Sequence, residues 1–247
     1  MTNRLACWIR RREHPLADRL YRLAKRLRVI DLPVVPGLHG GLYRLHAALA
    51  AGLGALARIL YWTPLFRSRL EGSHRRLHIA GGGMPLVTGP LRIVMGDDCR
   101  LSSALTLSGR GAGEAAPQLQ VGDNVGIGWQ TTIAVGRRVV LEDHVRIAGR
   151  AFLAGYPGHP MDAAARASGL PDTEDQIGDI VLRRDVWLGT GCIVNAGVEI
   201  GAGTVVAAGS IVTRDLPPGV LAAGAPARVV RVLDGQRPAQ PSLERAA

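Results

Sequence analysis

Apolar side chains follow two different periods along this chain. In residues 4–30, Leu16, Leu20, Leu23 and Leu27 recur at spacings of four, three and four, with Arg19, Arg22, Lys25, Arg26 and Arg28 around them. That spacing aligns side chains on one helical face, so one amphipathic helix is expected, ended by Pro33 and Pro36. Residues 42–66 form a second helical run, apolar without a break over residues 47–57 but holding His46 and Arg58. The run is short of the roughly 20 apolar residues that cross a bilayer. It is expected to pack on the protein's own body or to lie in a membrane interface, with Tyr61, Trp62 and Phe66 beside Arg58, Arg67 and Arg69 as anchors.

From Met95 onward the period becomes six. Leu182, Leu188, Val194, Ile200, Val206 and Val212 stand six apart, and Val186, Cys192, Val198, Thr204 and Ser210 precede the last five by two. The spacing recurs at Met95, Leu101 and Leu107, at Val121, Ile127 and Ile133, and, after a two-residue slip, at Leu141, Ile147 and Leu153. Each hexad is one short strand and one turn, with an aliphatic side chain inward at every flat face and Gly or Asn at the tight corner. Coils of this kind stack in parallel and bury a continuous aliphatic column. Cys99 and Cys192 fall at small inward positions and are read as packing residues. Two stretches leave the period: the Gly/Ala-rich residues 108–120, and residues 154–179, long enough to suggest a functional loop.

Charge is divided in the same way. Residues 1–76 hold 15 of the 30 basic and 4 of the 20 acidic side chains, so the net charge of +10 belongs to the front of the chain. A nucleic-acid-binding enzyme is expected to spread its basic footprint over the catalytic body and to interleave stacking aromatics, which are only 4% here. Nucleic acid is therefore not the expected partner; an anionic membrane surface is. Three scattered cysteines offer neither a CxxC metal site nor a disulfide framework. The first residues lack the apolar core and cleavage site of a secretion signal, which makes the cytoplasm, with peripheral contact on the inner membrane face, the expected location. The pairs Gly126/Gly128 and Gly201/Gly203 lack the third glycine of a dinucleotide loop, and no GK[ST] occurs.

The run DVWLGTGCIVNAGVEIGAGTVVAAGSIVTRDLPPGVLAAGAPARVVR resembles the C-terminal half of the hexapeptide-repeat acyltransferases, in particular their sugar O-acetyltransferase branch. The likeness extends over residues 90–232. It implies a left-handed parallel β-helix, a homotrimer, and active sites in clefts between neighbouring subunits. The expected organisation is a mainly β solenoid at residues 77–232 with an active-site loop at 154–179, preceded by a basic helical region at 1–76 and followed by a flexible tail at 233–247.

The loop carries GYPGHPMD, and members of this branch hold their catalytic histidine in a similar GHP segment, which makes His159 the expected general base. An alcohol is too weak an acid to ionise near neutral pH, so attack on a thioester needs an imidazole to take the proton. Asp162, Asp172, Glu174, Asp175 or a backbone carbonyl are candidates to orient the ring. His144 is expected at a corner or a small inward slot, structural or facing solvent. By resemblance, Trp187, Gly189 and Thr190 match the family's VWIGx segment, with Gly189 and Thr190 beside the thioester and the Thr190 N–H toward the developing oxyanion. Trp187, Ala208, Thr213 and Arg214 are implied to contact the coenzyme, Arg228 and Arg231 to face its phosphates, and Gln130 to touch the acceptor where galactoside acetyltransferases have Asn.

The expected activity is transfer of acetyl from acetyl-CoA to a sugar hydroxyl, without a metal and without a covalent enzyme intermediate. The basic, apolar front points to a cell-surface polysaccharide or a lipid-linked precursor as acceptor. N-acetylation of an amino sugar or antibiotic is the alternative that shares these motifs. A γ-carbonic-anhydrase-like metalloenzyme needs three His ligands, whereas from Met95 on there are only His144 and His159; a non-catalytic scaffold is the remaining reading.

Overall fold

The computed structural model describes residues 4–233; the expected tail lies outside them apart from Leu233. The chain divides into two compact units, Met1–Ala51 and Gly52–Ala247.

The single amphipathic helix expected over residues 4–30 is two helices, α1 (Arg4–Arg11) and α2 (Pro15–Arg28). Pro15 explains the break: a residue before proline is pushed out of the helical region, and proline itself suits a first turn. His14 is accordingly extended and its ring accepts the Leu16 N–H at 3.1 Å. Asp18 accepts from Arg22 and Arg12, and these guanidiniums hold its carboxyl below the usual range. The leucine stripe stays open, with Leu16, Leu20, Leu23 and Leu27 between 37% and 59% exposed.

Pro36, expected as a terminator, instead starts α3 (Pro36–Ala57), where His39 Nδ1 accepts the Val35 N–H at 2.8 Å. Helical backbone then continues through a π turn at Arg58–Trp62 into α4 (Thr63–Arg67). Pro64 accounts for the wide turn. It lacks an N–H and its ring crowds the carbonyl four residues back, so the Thr63 N–H reaches past to the Arg58 carbonyl. No α3 side chain is buried. The 32-residue helix Pro36–Arg67 is long and apolar enough to cross a membrane, well beyond the run legible in sequence. Phe66, expected as an interfacial anchor, is instead buried in the core that follows.

That core belongs to a three-sided parallel β-solenoid of about six turns, consistent with a left-handed winding. Its first turn is β1 (Leu70–Glu71), β2 (His78–Ala80) and β3 (Leu86–Thr88), and its second β4 (Arg92–Met95), β5 (Arg100–Ser102) and β6 (Thr106–Gly109). The third is β7 (Gln118–Val121), β8 (Gly126–Ile127) and β9 (Thr132–Val135), and the fourth β10 (Arg138–Leu141), β11 (Arg146–Ile147) and β12 (Phe152–Ala154). After a loop carrying the short helix α5 (Ala163–Ala167), the fifth follows as β13 (Ile180–Leu182), β14 (Trp187–Leu188) and β15 (Ile193–Asn195). The sixth is β16 (Glu199–Ile200), β17 (Val205–Val206) and β18 (Ile211–Val212); β19 (Val220–Gly224) and the antiparallel β20 (Ala227–Val232) close the stack.

The hexad aliphatics form the three inner columns. On the first face Met95, Val121, Leu141, Leu182 and Ile200 pair in sequence; on the second Leu101, Ile127, Ile147, Leu188 and Val206; on the third Leu107, Ile133, Leu153, Val194 and Val212. All are buried. Cys99 and Cys192 are buried in the same prism, and burial pushes both thiols up. The first excursion is shorter than expected: Ser108 and residues 118–120 lie in strands, because Leu107/Gly109 and Leu119/Val121 keep alternating inward, and only residues 110–117 leave the prism.

Candidate functional site

The prism has three vertices with different chemistry. Between first and second faces, corner residues Asp98, Asn124, His144 and Asp185 take left-handed backbone at φ 54° to 64°. Successive coils are clipped here by carboxylates, Asp123 accepting the Asp97 N–H at 2.7 Å and Asp143 the Asp123 N–H at 2.9 Å. Arg75 binds Asp97 and holds its carboxyl far below the usual range. His144 is exposed at this vertex, 3.0 Å from the Asn124 amide.

Between second and third faces the chain turns without insertions. Gln130, Arg150, Thr190 and Ala208 sit here, one coil above another. Gln130 is exposed with φ 54° and accepts from Arg150 Nε at 3.3 Å, while the Arg150 guanidinium lies 4.7 Å from the Trp129 ring centre. A side chain on Gly189 would put its Cβ 2.6 Å from the Ala208 nitrogen, so only glycine lets the coils close at this point. The Gly189 N–H is committed to the Val206 carbonyl at 2.8 Å. Among the described residues the Thr190 N–H has no such partner, which singles it out as the available donor of the pair. Trp187, half exposed on the second face, overlooks a groove of about 450 Å³ lined also by Arg100, Gly128, Arg146 and Ala148. Burial lowers the pKa of Arg146, whose guanidinium donates to Asn124.

Both excursions leave at the third vertex, between third and first faces. The long loop is closed at its neck, where the Gly178 N–H donates to the Gly155 carbonyl at 3.1 Å. His159 is exposed on it. Three of the four acidic residues weighed as orienters of its ring are bonded within the loop or to Arg110. Asp162 caps α5 by accepting the Ala165 N–H at 2.7 Å; Asp172 accepts the Gly158 N–H at 2.9 Å and Arg110 Nε at 2.5 Å; Glu174 accepts Arg110 Nη1 at 2.5 Å; Asp175 is exposed. Gln176 Nε2 reaches the His159 carbonyl at 3.5 Å. Asp172 and Glu174 raise the pKa of the buried Arg110.

The structure therefore does not gather the expected site within one chain. His159, Thr213 and Arg214 belong to the third vertex, Gln130, Gly189, Thr190 and Ala208 to the second. Arg228 and Arg231 lie exposed on β20 at the end of the second face; among the described residues neither they nor Arg214 form an ion pair, which suits a phosphate-bearing ligand. Sequence reasoning missed Arg110, whose only signal was a lone arginine ending a strand before a Gly/Ala tract. Among the described residues no group of three His, Cys, Asp or Glu side chains is placed so that it could hold a metal ion.

Residues 179–214, spanning the fifth and sixth coils, match the family model for bacterial transferase hexapeptide (six repeats). The fifth and sixth coils are thus similar to the hexapeptide repeat of that family. Galactoside O-acetyltransferase of Escherichia coli (strain K12) is 37% identical over 116 residues, 47% of this chain and 55% of that protein. The chain spans about half the length of the curated relatives it matches. Among solved structures, a point mutant of AntD, an N-acyltransferase from Bacillus cereus in complex with dTDP and coenzyme A, aligns with a TM-score of 0.55 at 18% identity, over 71% of this chain and 91% of that one. A second AntD mutant, with dTDP-4-amino-4,6-dideoxyglucose and coenzyme A, aligns at 0.54 and 19% identity over 69% and 88%. At these identities the likeness shows the shared fold alone.

Proposed function

We propose that the protein is an acetyl-CoA-dependent O-acetyltransferase acting on a sugar hydroxyl of a cell-surface polysaccharide or a lipid-linked precursor. The observation that carries this reading is His159, displayed in its GHP segment on a closed, internally bonded loop beside a solenoid whose sequence resembles a galactoside O-acetyltransferase. In this mechanism the neutral His159 imidazole takes the proton from the acceptor hydroxyl as the oxygen attacks the acetyl carbonyl. The Thr190 N–H donates to the carbonyl oxygen as negative charge gathers there. The protonated imidazole then returns its proton to the departing thiolate. Arg228 and Arg231 hold the phosphates, and Trp187 and Ala208 line the coenzyme arm; Thr213 and Arg214 complete the contacts.

Separation of His159 and Thr190 on different vertices supports a homotrimer in which a neighbouring copy completes each site. The open leucine stripe of α2, its arginines and the unburied α3 support peripheral binding to the inner face of the cytoplasmic membrane. The test is a screen of galactosides and lipid-linked sugars with labelled acetyl-CoA. His159→Ala is expected to lower acetyl transfer by about a hundredfold or more. A substitution that leaves the rate unchanged overturns the mechanism.

A further inference from the structure

Among the described residues Arg110 is the one buried arginine, its side chain 5% exposed against 2% for Asp172. It opens the short excursion, and its backbone is still tied to the prism there, since the Arg110 N–H donates to the Val135 carbonyl at 3.0 Å. Its side chain crosses to the long loop and uses all three nitrogens there: Nε to Asp172 Oδ1 at 2.5 Å, Nη2 to the Asp172 carbonyl at 2.8 Å, and Nη1 to Glu174 at 2.5 Å. Asp172 passes the constraint on, because its other oxygen accepts the N–H of Gly158, the residue before His159. Gly158 sits at φ +81°, a left-handed conformation that this carboxylate pins. A second tie runs in parallel, a 2.7 Å hydrogen bond between the hydroxyls of Ser108 and Tyr156.

We propose that Arg110 and Asp172 are positioning residues that set His159 from the rigid second coil, through Arg110, Asp172 and the Gly158 N–H. The inference rests on the reading of His159 as the general base and adds what holds it in place. A buried ion pair is a poor device for stability, since apolar residues of similar volume fill the same space as well or better. What the pair provides here is direction: a forked donor and a two-oxygen acceptor leave one orientation for the segment at Gly158. Arg110 also links the two excursions, opening the short one, residues 110–117, and binding Asp172 and Glu174 of the long one.

The test uses the full chain with acetyl-CoA and the acceptor found by the glycan screen, and compares wild type, His159→Ala, Asp172→Asn, and the double variant Arg110→Met with Asp172→Leu, which removes both charges together. Hydrogen exchange over residues 155–178 and thermal melting are read alongside kcat and KM. The double variant is expected to melt close to wild type, to exchange about tenfold faster near Gly158, and to lose about tenfold or more in kcat with the KM for acetyl-CoA within about twofold. Asp172→Asn, which keeps an acceptor for Gly158 but weakens the Arg110 bond, is expected to fall between them. If the double variant keeps wild-type kcat while His159→Ala is inactive, the positioning role is overturned and the base survives. If His159→Ala remains active, the base reading fails and the inference with it. A double variant that melts far below wild type assigns the pair to stability and also overturns the proposal, provided Asp172→Asn keeps full kcat.

Discussion

Leucine has opposite fates in the two units. In the solenoid Leu101, Leu141, Leu182 and Leu188 are sealed inside the prism, whereas in α2 Leu16, Leu20, Leu23 and Leu27 face outward. Glycine repeats the contrast. A Cβ on Gly189 would meet the next coil at 2.6 Å, while one on Gly40, Gly52 or Gly54 in α3 would meet nothing within 4 Å. A six-residue period closes on itself and supplies its own partner surface; a helical stripe does not, and leaves its apolar face for something else to cover.

Substitutions of the same kind should separate the regions. The largest effect is expected for Leu188→Ala, which opens a cavity between Ile147 and Val206 and should lower stability by about 2–5 kcal/mol in denaturant unfolding. Gly189→Ala, forced against the Ala208 nitrogen, should cost about 1–3 kcal/mol. In the other direction Gly52→Ala should raise stability or helicity by about 0.5–1 kcal/mol, since it removes chain entropy and meets no neighbour. Leu20→Glu should change stability by less than about 0.5 kcal/mol, yet reduce cosedimentation with anionic vesicles; unchanged vesicle binding would remove the support that α2 lends to a membrane role.

Acid should weaken the solenoid. Asp97 carries a carboxyl pKa depressed by Arg75, and Arg183 depresses that of Glu199 in the sixth coil. A depressed folded-state pKa means stability that is complete above the ordinary carboxylate range and is lost as pH falls through and below it. Melting temperature is therefore expected to hold from pH 7 to about pH 5 and then to drop. Asp97→Asn should lower the neutral value and flatten the acid limb.

The prism was legible because its signal is local and repeated: each hexad names one inward aliphatic and one corner, and every member of the set was found buried in register. The helices were less so. The break at His14 and the start of α3 at Pro36 depend on where proline places its ring rather than on the hydrophobic stripe. Phe66 shows another limit, since an aromatic next to arginines reads as an anchor until the end of the solenoid is seen to enclose it. At the site, resemblance pointed to His159 and to the Thr190 corner, but not to the commitment of the Gly189 N–H or to the Arg110 anchor. Arg110 and Asp172 are far apart in sequence and meet only because both excursions exit at one vertex.

Strand pairing takes no notice of the long loop. Leu141 meets Leu182 and Leu153 meets Val194 as neighbours, as though residues 155–178 had been spliced out. The loop can therefore lengthen, shorten or change composition without putting later coils out of phase. A scaffold of this kind separates inheritance of its frame from diversification of its chemistry, and new acceptors can be met by rewriting one interruption while every rung stays as it was.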